Sequence, residues 1–466
     1  MARTVLAREI PWLEPVAALE ATRALVWPML LDSARPDPRL GRWSYVAADP
    51  FLTLTSKDGR LTLGERSFTG DPFAVLQRAL AHYPLDHDPA LPVPFQTGAM
   101  GWFGYDLAHH LERLPHPPLD DLALPDLALG FYDTLLAFDV LDRRAWLLSS
   151  GWPEASPEAS MHRRKARADE LEARLGFCAE PGPTPEAHVT TRIASNFTRG
   201  GYEAVVQQVV DYILAGDIFQ ANLSQRFLAD LPAELDGWSL YRRLRTRNPA
   251  PFAAYLRTGE VEIVSASPER FLKLADRRVE TRPIKGTRPR GSTPEEDRRL
   301  GEELLASAKD RAENVMIVDL LRNDLSRVCR DHTVLTPEIC ALESFATVHH
   351  LVSTVTGELR PGLDPVDLLR ATFPGGSITG APKIRAMEII AELEPTRRGP
   401  YCGAIGWLGG DGWMDTSITI RTYAIKDRRV AFQAGGGIVA DSDPAAEYDE
   451  TLDKARALIE ALGGTP

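Results

Sequence analysis

Lys285 and Glu269 are the two side chains in this 466-residue chain whose surroundings most directly offer covalent and acid–base chemistry. Lys285 stands in the run ETRPIKGTRPRG, and Glu269 follows a proline in SASPERF. Burial disfavours an ammonium, and so would the like charges of Arg282, Arg288 and Arg290. An amine that has lost its proton is a nucleophile. The same residues also describe a solvated basic loop, so this stretch alone leaves both readings open.

Two sets of acids have helical spacing. Asp310 and Glu313 lie three apart in SAKDRAENVMIVDLLRNDL, and Glu447, Glu450 and Lys454 fall on one stripe of DPAAEYDETLDKARALIEAL. Residues three or four apart share a helix face. Hard oxygen donors with room for water suit Mg²⁺ rather than zinc. A solvated helix face is the other reading of each pair.

Further candidates are single features. MDTSITIRTYAI (414–425) alternates as one strand, with Ser417, Thr419, Arg421 and Tyr423 on one face. Arg421 there is either surface decoration or a carboxylate fork facing a cavity. Gly435, Gly436 and Gly437 end a strand and either let backbone amides approach a ligand or mark a bulge. FPGGSITGAPK is a glycine-rich turn into a helix. It fails as a P-loop because Ala381 and Pro382 follow Gly380, yet it aims Thr379 and backbone amides at whatever lies before the helix. Of His349 and His350 in a strand-like run, one faces inward. Gln220 and Asn222 share a strand face by their period of two.

The elements that must position these groups follow from punctuation and periodicity. Val261–Ser265 and Phe271–Leu274 read as strands around the Ser-Pro-Glu turn. Thr293-Pro294-Glu295-Glu296 is a capping box that starts a helix at Pro294. That helix, or its successor, carries Asp310 and Glu313. Asp443-Pro444 starts the C-terminal helix, and Tyr202–Ala215 has a helical apolar stripe that stops at Gly216. Residues 40–64 form strands joined by a Lys57-Asp58-Gly59 hairpin turn, and 133–150 form another hairpin. Pro157–Leu175 is an exposed helix capped by Ser156. These divide the chain into an N-terminal region, 1–150, a helix and linker, 151–198, and a second region, 199–466, with a boundary near 190.

Composition is that of an ordinary globular protein, 44% hydrophobic and 25% charged. The net charge of −12 disfavours nucleic acid and anionic membranes as partners. An anionic small substrate would need a local basic or metal-bearing pocket. Cys178, Cys329, Cys340 and Cys402 form no CxxC pair, which points to a reducing compartment and buried thiols. No run reaches membrane-spanning length. The expectation is a soluble cytoplasmic protein. Cys402 lacks a nucleophile's surroundings, so no glutaminase machinery is visible.

Taken together and in order, GDIFQANLSQRF, SPERF, TRPIKGT, KDRAENVMIVDLLRNDL, VHHLVS, FPGGSITGAPK, MDTSITIRT and GGGIVADS resemble the chorismate-utilising enzyme family. The resemblance covers most of residues 200–460, with a looser match over 10–150 to the N-terminal region of the amine-transferring members. It implies an α+β fold: two mixed subdomains, large antiparallel sheets packed as a sandwich, helices outside, and the active site between the subdomains. Within the family, Lys285 resembles the branch that yields 4-amino-4-deoxychorismate. The branch that yields anthranilate carries alanine there (PIAGT) and is the alternative. By resemblance, Lys285 is a nucleophile toward C2 of chorismate and Glu269 the general acid–base. Glu313 and Glu450 are Mg²⁺ ligands, with Asp310 and Glu447 nearby through water. Arg421, Lys454 and the amides of Gly435, Gly436 and Gly437 hold the enolpyruvyl carboxylate. His350 and Thr379 lie near the C4 hydroxyl, Gly380 and Thr287 are further substrate-binding residues, and Tyr401 lines the wall. Ammonia is implied to come from a glutamine amidotransferase subunit. Leu31-Asp32-Ser33 falls where relatives carry a Leu-Glu-Ser element of a tryptophan pocket, a departure at its middle residue.

Overall fold

The computed structural model describes residues 3–176, 182, 184, 191–344 and 348–464. Two antiparallel 12-stranded sheets make its centre. One contains, in spatial order, Leu6–Ile10, Arg144–Ser149, Thr134–Asp139, Trp43–Ala47, Met29–Asp32, Phe252–Thr258, Val261–Ser267, Thr422–Lys426, Arg429–Ile438, Gln220–Asp230 and Ala194–Ser195, with Gly380–Ala381 beside Gln220. The other contains Ile284–Pro289, Val348–Glu358, Arg278–Thr281, Arg270–Ala275, Met414–Ile418, Ala404–Gly409, Gly98–Phe103, Leu127–Tyr132, Leu52–Lys57, Arg60–Leu63 and Arg66–Thr69, with Leu335–Ser344 against Val348–Glu358.

The sheets pack face to face because their strands alternate as period two requires. In Phe252–Thr258, Ala254 and Leu256 face the second sheet while Ala253 and Tyr255 face helices. Met100, Trp102, Ile405 and Trp407 supply the opposing half of the inter-sheet layer. Trp102 donates its indole N–H to Thr258 Oγ1 across that layer, at 3.3 Å. Each such large apolar side chain contributes roughly 1.5–3 kcal/mol on full burial. Helices Pro15–Thr22, Gly237–Arg247 and Pro444–Leu462 cover the outside of the first sheet. Pro72–His82, Ala308–Ser326 and Pro365–Thr372 cover the second. No helix among the described residues is long and apolar enough to cross a membrane.

Strands on either side of residue 190 are hydrogen-bonded in common sheets. Leu31 is paired with Ala254 in one and Gly101 with Gly406 in the other. The helix of the connecting segment is Pro157–Leu175, capped by Ser156. Cys178 and most of the segment read as a linker lie outside the described residues. The other three cysteines are buried free thiols.

The helix that starts at Pro294 has a successor, and it is the successor that carries Asp310 and Glu313. Pro294–Ala306 ends where Ser307 takes ψ 106°, and the Ser307 hydroxyl then accepts from the Asp310 amide to start Ala308–Ser326. One expectation fails outright. Residues 414–425 are not one strand: Met414–Ile418 belongs to the second sheet and Thr422–Lys426 to the first. The change of sheet takes place over Thr419–Arg421, and Arg421 has φ +55°. Ser417, Arg421 and Tyr423 therefore do not share a face. Tyr423 is fully buried in the outer core of the first sheet.

Candidate active site

The neighbouring chain segment changes sheets at the same place. Val261–Ser267 lies in the first sheet and Arg270–Ala275 in the second, so Pro268-Glu269 is its crossover. The two crossovers are stitched together. Ile418 N–H donates to Glu269 O at 3.0 Å, and Ala266 N–H donates to Arg421 O at 3.1 Å. Ser267 Oγ donates to Ile418 O at 2.6 Å. A residue in a crossover is released from strand alternation, so both Glu269 and Arg421 turn into one cavity of about 780 Å³.

Lys285 joins them from Ile284–Pro289, an outer strand of the second sheet. Gly286 next to it has φ +74°, a conformation glycine adopts without strain. The Lys285 side chain is 11% exposed, and its Nζ lies 2.8 Å from Glu313 Oε1. The neighbouring arginines were expected to press on this amine as like charges. Each is instead held by a carboxylate: Arg282 by Glu343, Arg288 by Asp310 at 3.1 Å, Arg290 by Asp297 at 2.6 Å.

Glu269 is buried, and burial pushes its carboxyl up to about 7. Donation from Ser377 and from the Ile284 amide, with the charge of Lys285, opposes that rise. Arg421 is half-buried, and desolvation draws its guanidinium down. Among the described residues its guanidinium has no hydrogen bond or ion pair, so a half-buried cation faces the cavity without a counter-ion in contact. Such a group is costly until an anion meets it.

The two acidic helices reach the cavity from different sides. Asp310 and Glu313 come from Ala308–Ser326, and Glu447, Glu450 and Lys454 from Pro444–Leu462. Gln220 Nε2 donates to Glu313 Oε1 at 3.0 Å. Lys454 Nζ lies 2.5 Å from Glu450 Oε1 and donates to Gly435 O at 2.9 Å. Burial raises the Glu447 carboxyl, which accepts from Ser442 Oγ at 2.7 Å. The donor set is four carboxylates, the chemistry Mg²⁺ prefers. No three of these acids among the described residues converge tightly enough to enclose an ion as they stand.

The glycines act through missing side chains. The strand runs on through Gly435, Gly436 and Gly437 without a bulge, paired with Ser224, Leu223 and Asn222. A Cβ on Gly437 would lie 1.9 Å from Gln220 Nε2 and 2.9 Å from Glu313 Oε1, and one on Gly436 would lie 3.1 Å from Glu447 Oε2. Thr287, His350 and Tyr401 line the same cavity. Thr287 Oγ1 is 2.9 Å from His350 Nδ1. Burial lowers His350 to about 4, so the ring is neutral at neutral pH. Its neighbour His349 is the inward-facing one, bound to Ser344 and Asp297.

Thr379 and Gly380 are not cavity residues. Thr379 turns its hydroxyl back to Gly375 O at 3.1 Å, and Gly380 packs on the Gln220–Ala221 backbone. The following helix, Lys383–Leu393, begins only after them. The turn meets the cavity through Ser377 instead, whose Oγ donates to Glu269 Oε1 at 2.6 Å. Its place in FPGGSITG was readable; its direction, set by the two glycines before it, was not.

Leu31, Asp32 and Ser33 line a second cavity, of about 220 Å³, between the sheets. Asp32 is consumed internally, accepting from Tyr241 at 2.7 Å, Arg245 at 2.6 Å and Ser44 at 3.1 Å. Trp43, Trp407 and Trp413 supply aromatic wall.

A family model described as chorismate binding enzyme matches residues 29–460. The chain is 45% identical over 460 residues to aminodeoxychorismate synthase component 1 of Salmonella typhimurium, covering 97% of each. It is 46% identical over 433 residues to anthranilate synthase component 1 of Thermus thermophilus, covering 91% of this chain and 90% of that one. The solved anthranilate synthase component I of Streptococcus pneumoniae superposes with TM-score 0.79 at 34% identity, over 90% of this chain and 93% of that one. The menaquinone-specific isochorismate synthase of Escherichia coli shares the fold, with TM-score 0.74 at 20% identity, over 99% of this chain and 95% of that one.

Proposed function

The chain belongs to the chorismate binding enzyme family, and we propose that within it this protein aminates chorismate at C4, giving 4-amino-4-deoxychorismate for para-aminobenzoate and folate synthesis. The observation that carries the reading is a lysine amine in the cavity that also holds Glu269, Arg421 and the four helix-borne acids. Relatives named aminodeoxychorismate synthase component 1 at 43–45% identity support it.

In this reading the Lys285 nitrogen bonds to C2 of the ring. The two ring double bonds shift, the C4–O bond breaks, and Glu269 protonates the departing hydroxyl so that it leaves as water. Ammonia then bonds to C4, the double bonds shift back, and the C2–N bond breaks to release the lysine. The proton shed by the new C4 ammonium returns to Glu269. The enolpyruvyl group stays in place throughout. Direct attack of ammonia on C2 would lead toward anthranilate, and a lysine occupying C2 closes that route. The Lys285 ammonium paired with Glu313 must first pass one proton to that carboxylate or to water, so that a neutral amine attacks.

Arg421 and Lys454 would hold a substrate carboxylate, Arg421 through its uncommitted planar fork. Glu313 and Glu450 would hold Mg²⁺, with Asp310 and Glu447 beside them. When bound, the ion supplies positive charge for the second substrate carboxylate. Thr287, His350 and Tyr401 would shape the wall around the C4 hydroxyl. A glutamine amidotransferase subunit, the component 2 that the relatives' names imply, would deliver ammonia. The second cavity is the candidate tryptophan site. The three tryptophans around it make a change in intrinsic fluorescence on adding tryptophan the test of occupancy.

The test of the reading is product identification from chorismate, ammonium and Mg²⁺. We expect a non-fluorescent product that retains the enolpyruvyl group. Fluorescent anthranilate with pyruvate release would favour the second reading, anthranilate synthase component 1, which the Thermus thermophilus relative supports.

A further inference from the structure

The loop from Phe373 to Pro382 is held rigidly, and the hold converges on one hydroxyl. The buried Lys383 ammonium donates to Thr372 O at 2.8 Å, to Pro374 O at 2.9 Å and to Asp324 Oδ2 at 2.5 Å. Gly375 and Gly376 leave no room for side chains. A Cβ on the first would lie 2.7 Å from Ile418 Cδ1, and one on the second 2.9 Å from Leu320 Cδ2. The loop is thus pressed between a sheet crossover and the helix Ala308–Ser326, and its next residue, Ser377, is 8% exposed.

We propose that Ser377 is a positioning residue for the acid–base step: by donating to Glu269 Oε1 at 2.6 Å it reserves that oxygen as an acceptor and leaves the transferable proton on Oε2, the oxygen that must meet the C4 hydroxyl. The inference rests on Glu269 being the general acid.

Among the described residues, Glu269 is the partner of the Ser377 hydroxyl. If the carboxyl proton sat on Oε1, it would point at the same hydroxyl, and the serine hydrogen would have nowhere to go. A buried donor left unsatisfied is disfavoured by about tenfold or more in population. The arrangement with the proton on Oε2 keeps both hydrogens useful. It also works in reverse: the ionised carboxylate keeps one charge-assisted bond from Ser377 while Oε2 collects the proton from the new C4 ammonium. Lys285 is the charged group that bears on Glu269 from the strand packed against it, Ile284 contributes its amide, and the Cys402 thiol is the other titratable group that feels the Glu269 charge.

Steady-state kinetics over pH 5.5–9 on the full chain, with chorismate, ammonium and Mg²⁺, test this. Ser377→Ala should lower kcat about 10- to 100-fold with KM for chorismate within about twofold. The basic limb of the kcat profile should move to higher pH, because a donor to the carboxylate has gone. Ser377→Thr, which restores the hydroxyl, should recover most of kcat and the limb. In a Glu269→Gln background, Ser377→Ala should cost nothing further. A wild-type rate and limb in Ser377→Ala, beside an inactive Glu269→Gln, would overturn this proposal alone. So would an equal further loss when Ser377→Ala is added to Glu269→Gln. A wild-type rate in Glu269→Gln itself would overturn both this and the reading it rests on.

Discussion

Lys285 Nζ and Glu313 Oε1 form an ion pair 2.8 Å long inside the cavity. One partner is the proposed nucleophile and the other a proposed Mg²⁺ ligand, so the pair separates charge from chemistry. Lys285→Arg keeps a cation opposite Glu313 but cannot form the adduct; Lys285→Ala keeps neither. Both should lose C4 amination by about three orders of magnitude or more, the scale on which nucleophile removal acts. The two side chains are 11% and 17% exposed, so Lys285→Arg should melt near wild type while Lys285→Ala, which strands Glu313, should lose up to about 3 kcal/mol. Chromatographic assay of the product decides. Substantial amination by Lys285→Ala would end the covalent mechanism.

Glu269 ties activity and stability to one proton, so both should fall as pH rises. Its carboxyl is pushed up to about 7 from an ordinary 4.5, first by burial. As an acid it must start protonated, so kcat should fall as pH rises through about 7. The folded state binds this proton more tightly than the unfolded chain. Its contribution to stability is therefore whole below about pH 4.5 and is lost as pH climbs through about 7. Glu269→Gln does not titrate. It should be inactive yet more stable than wild type above pH 7, by up to about 3 kcal/mol, with a smaller gap at pH 5.5. Melting curves at pH 5.5 and 8.5 measure this, and a constant gap would contradict the assignment.

The half-buried Arg421 guanidinium has no anion in contact among the described residues, so removing it should relieve a cost. Arg421→Ala is expected to match or exceed wild type in melting temperature. KM for chorismate should rise about 10- to 100-fold, the worth of a charge-assisted bond. Arg421→Lys should recover little of it, because an ammonium cannot present the planar fork. A KM unchanged in Arg421→Ala would remove the carboxylate assignment.

Removal of divalent cations should abolish turnover, and Mg²⁺ should restore it. Calorimetric titration of Mg²⁺ gives a readout independent of activity. Glu450→Gln should weaken that binding, since a neutral amide replaces an anionic ligand. Turnover indifferent to EDTA would undo the metal assignment.

Local chemistry in the sequence announced most of the helices around the site. Pro157, Pro294 and Pro444 each stand at a helix start, beside capping residues Ser156, Thr293 and Asp443 that all accept backbone hydrogen bonds. The acids at 310, 313, 447 and 450 followed from helical spacing. The sheet crossovers were not legible. Residues 414–425 alternate without interruption, and nothing local marks Thr419–Arg421 as the change from one sheet to the other. That change is fixed by distant partners, Ala404–Gly409 on one side and Val261–Ser267 on the other. The same limitation exchanged Ser377 for Thr379. Both are small hydroxyl residues in one turn, and only the packing of Gly375 and Gly376 decides which faces Glu269.

Gly435 and Gly437 separate fold from function within a single strand. A Cβ on Gly435 would lie 2.1 Å from the Leu223 carbonyl oxygen, part of a neighbouring strand's backbone that cannot yield without breaking the ladder. A Cβ on Gly437 would meet the ends of two side chains, Gln220 and Glu313, which can swing away. Gly435→Ala should therefore lower the melting temperature, with a cost of about 1–3 kcal/mol from overpacking. Gly437→Ala should melt near wild type while displacing Glu313 from Lys285 and Gln220, so its activity and Mg²⁺ affinity should both fall. If Gly437→Ala instead unfolds the protein, or leaves Mg²⁺ affinity and turnover intact, the glycine is a packing residue and the cavity does not depend on the placement of Glu313.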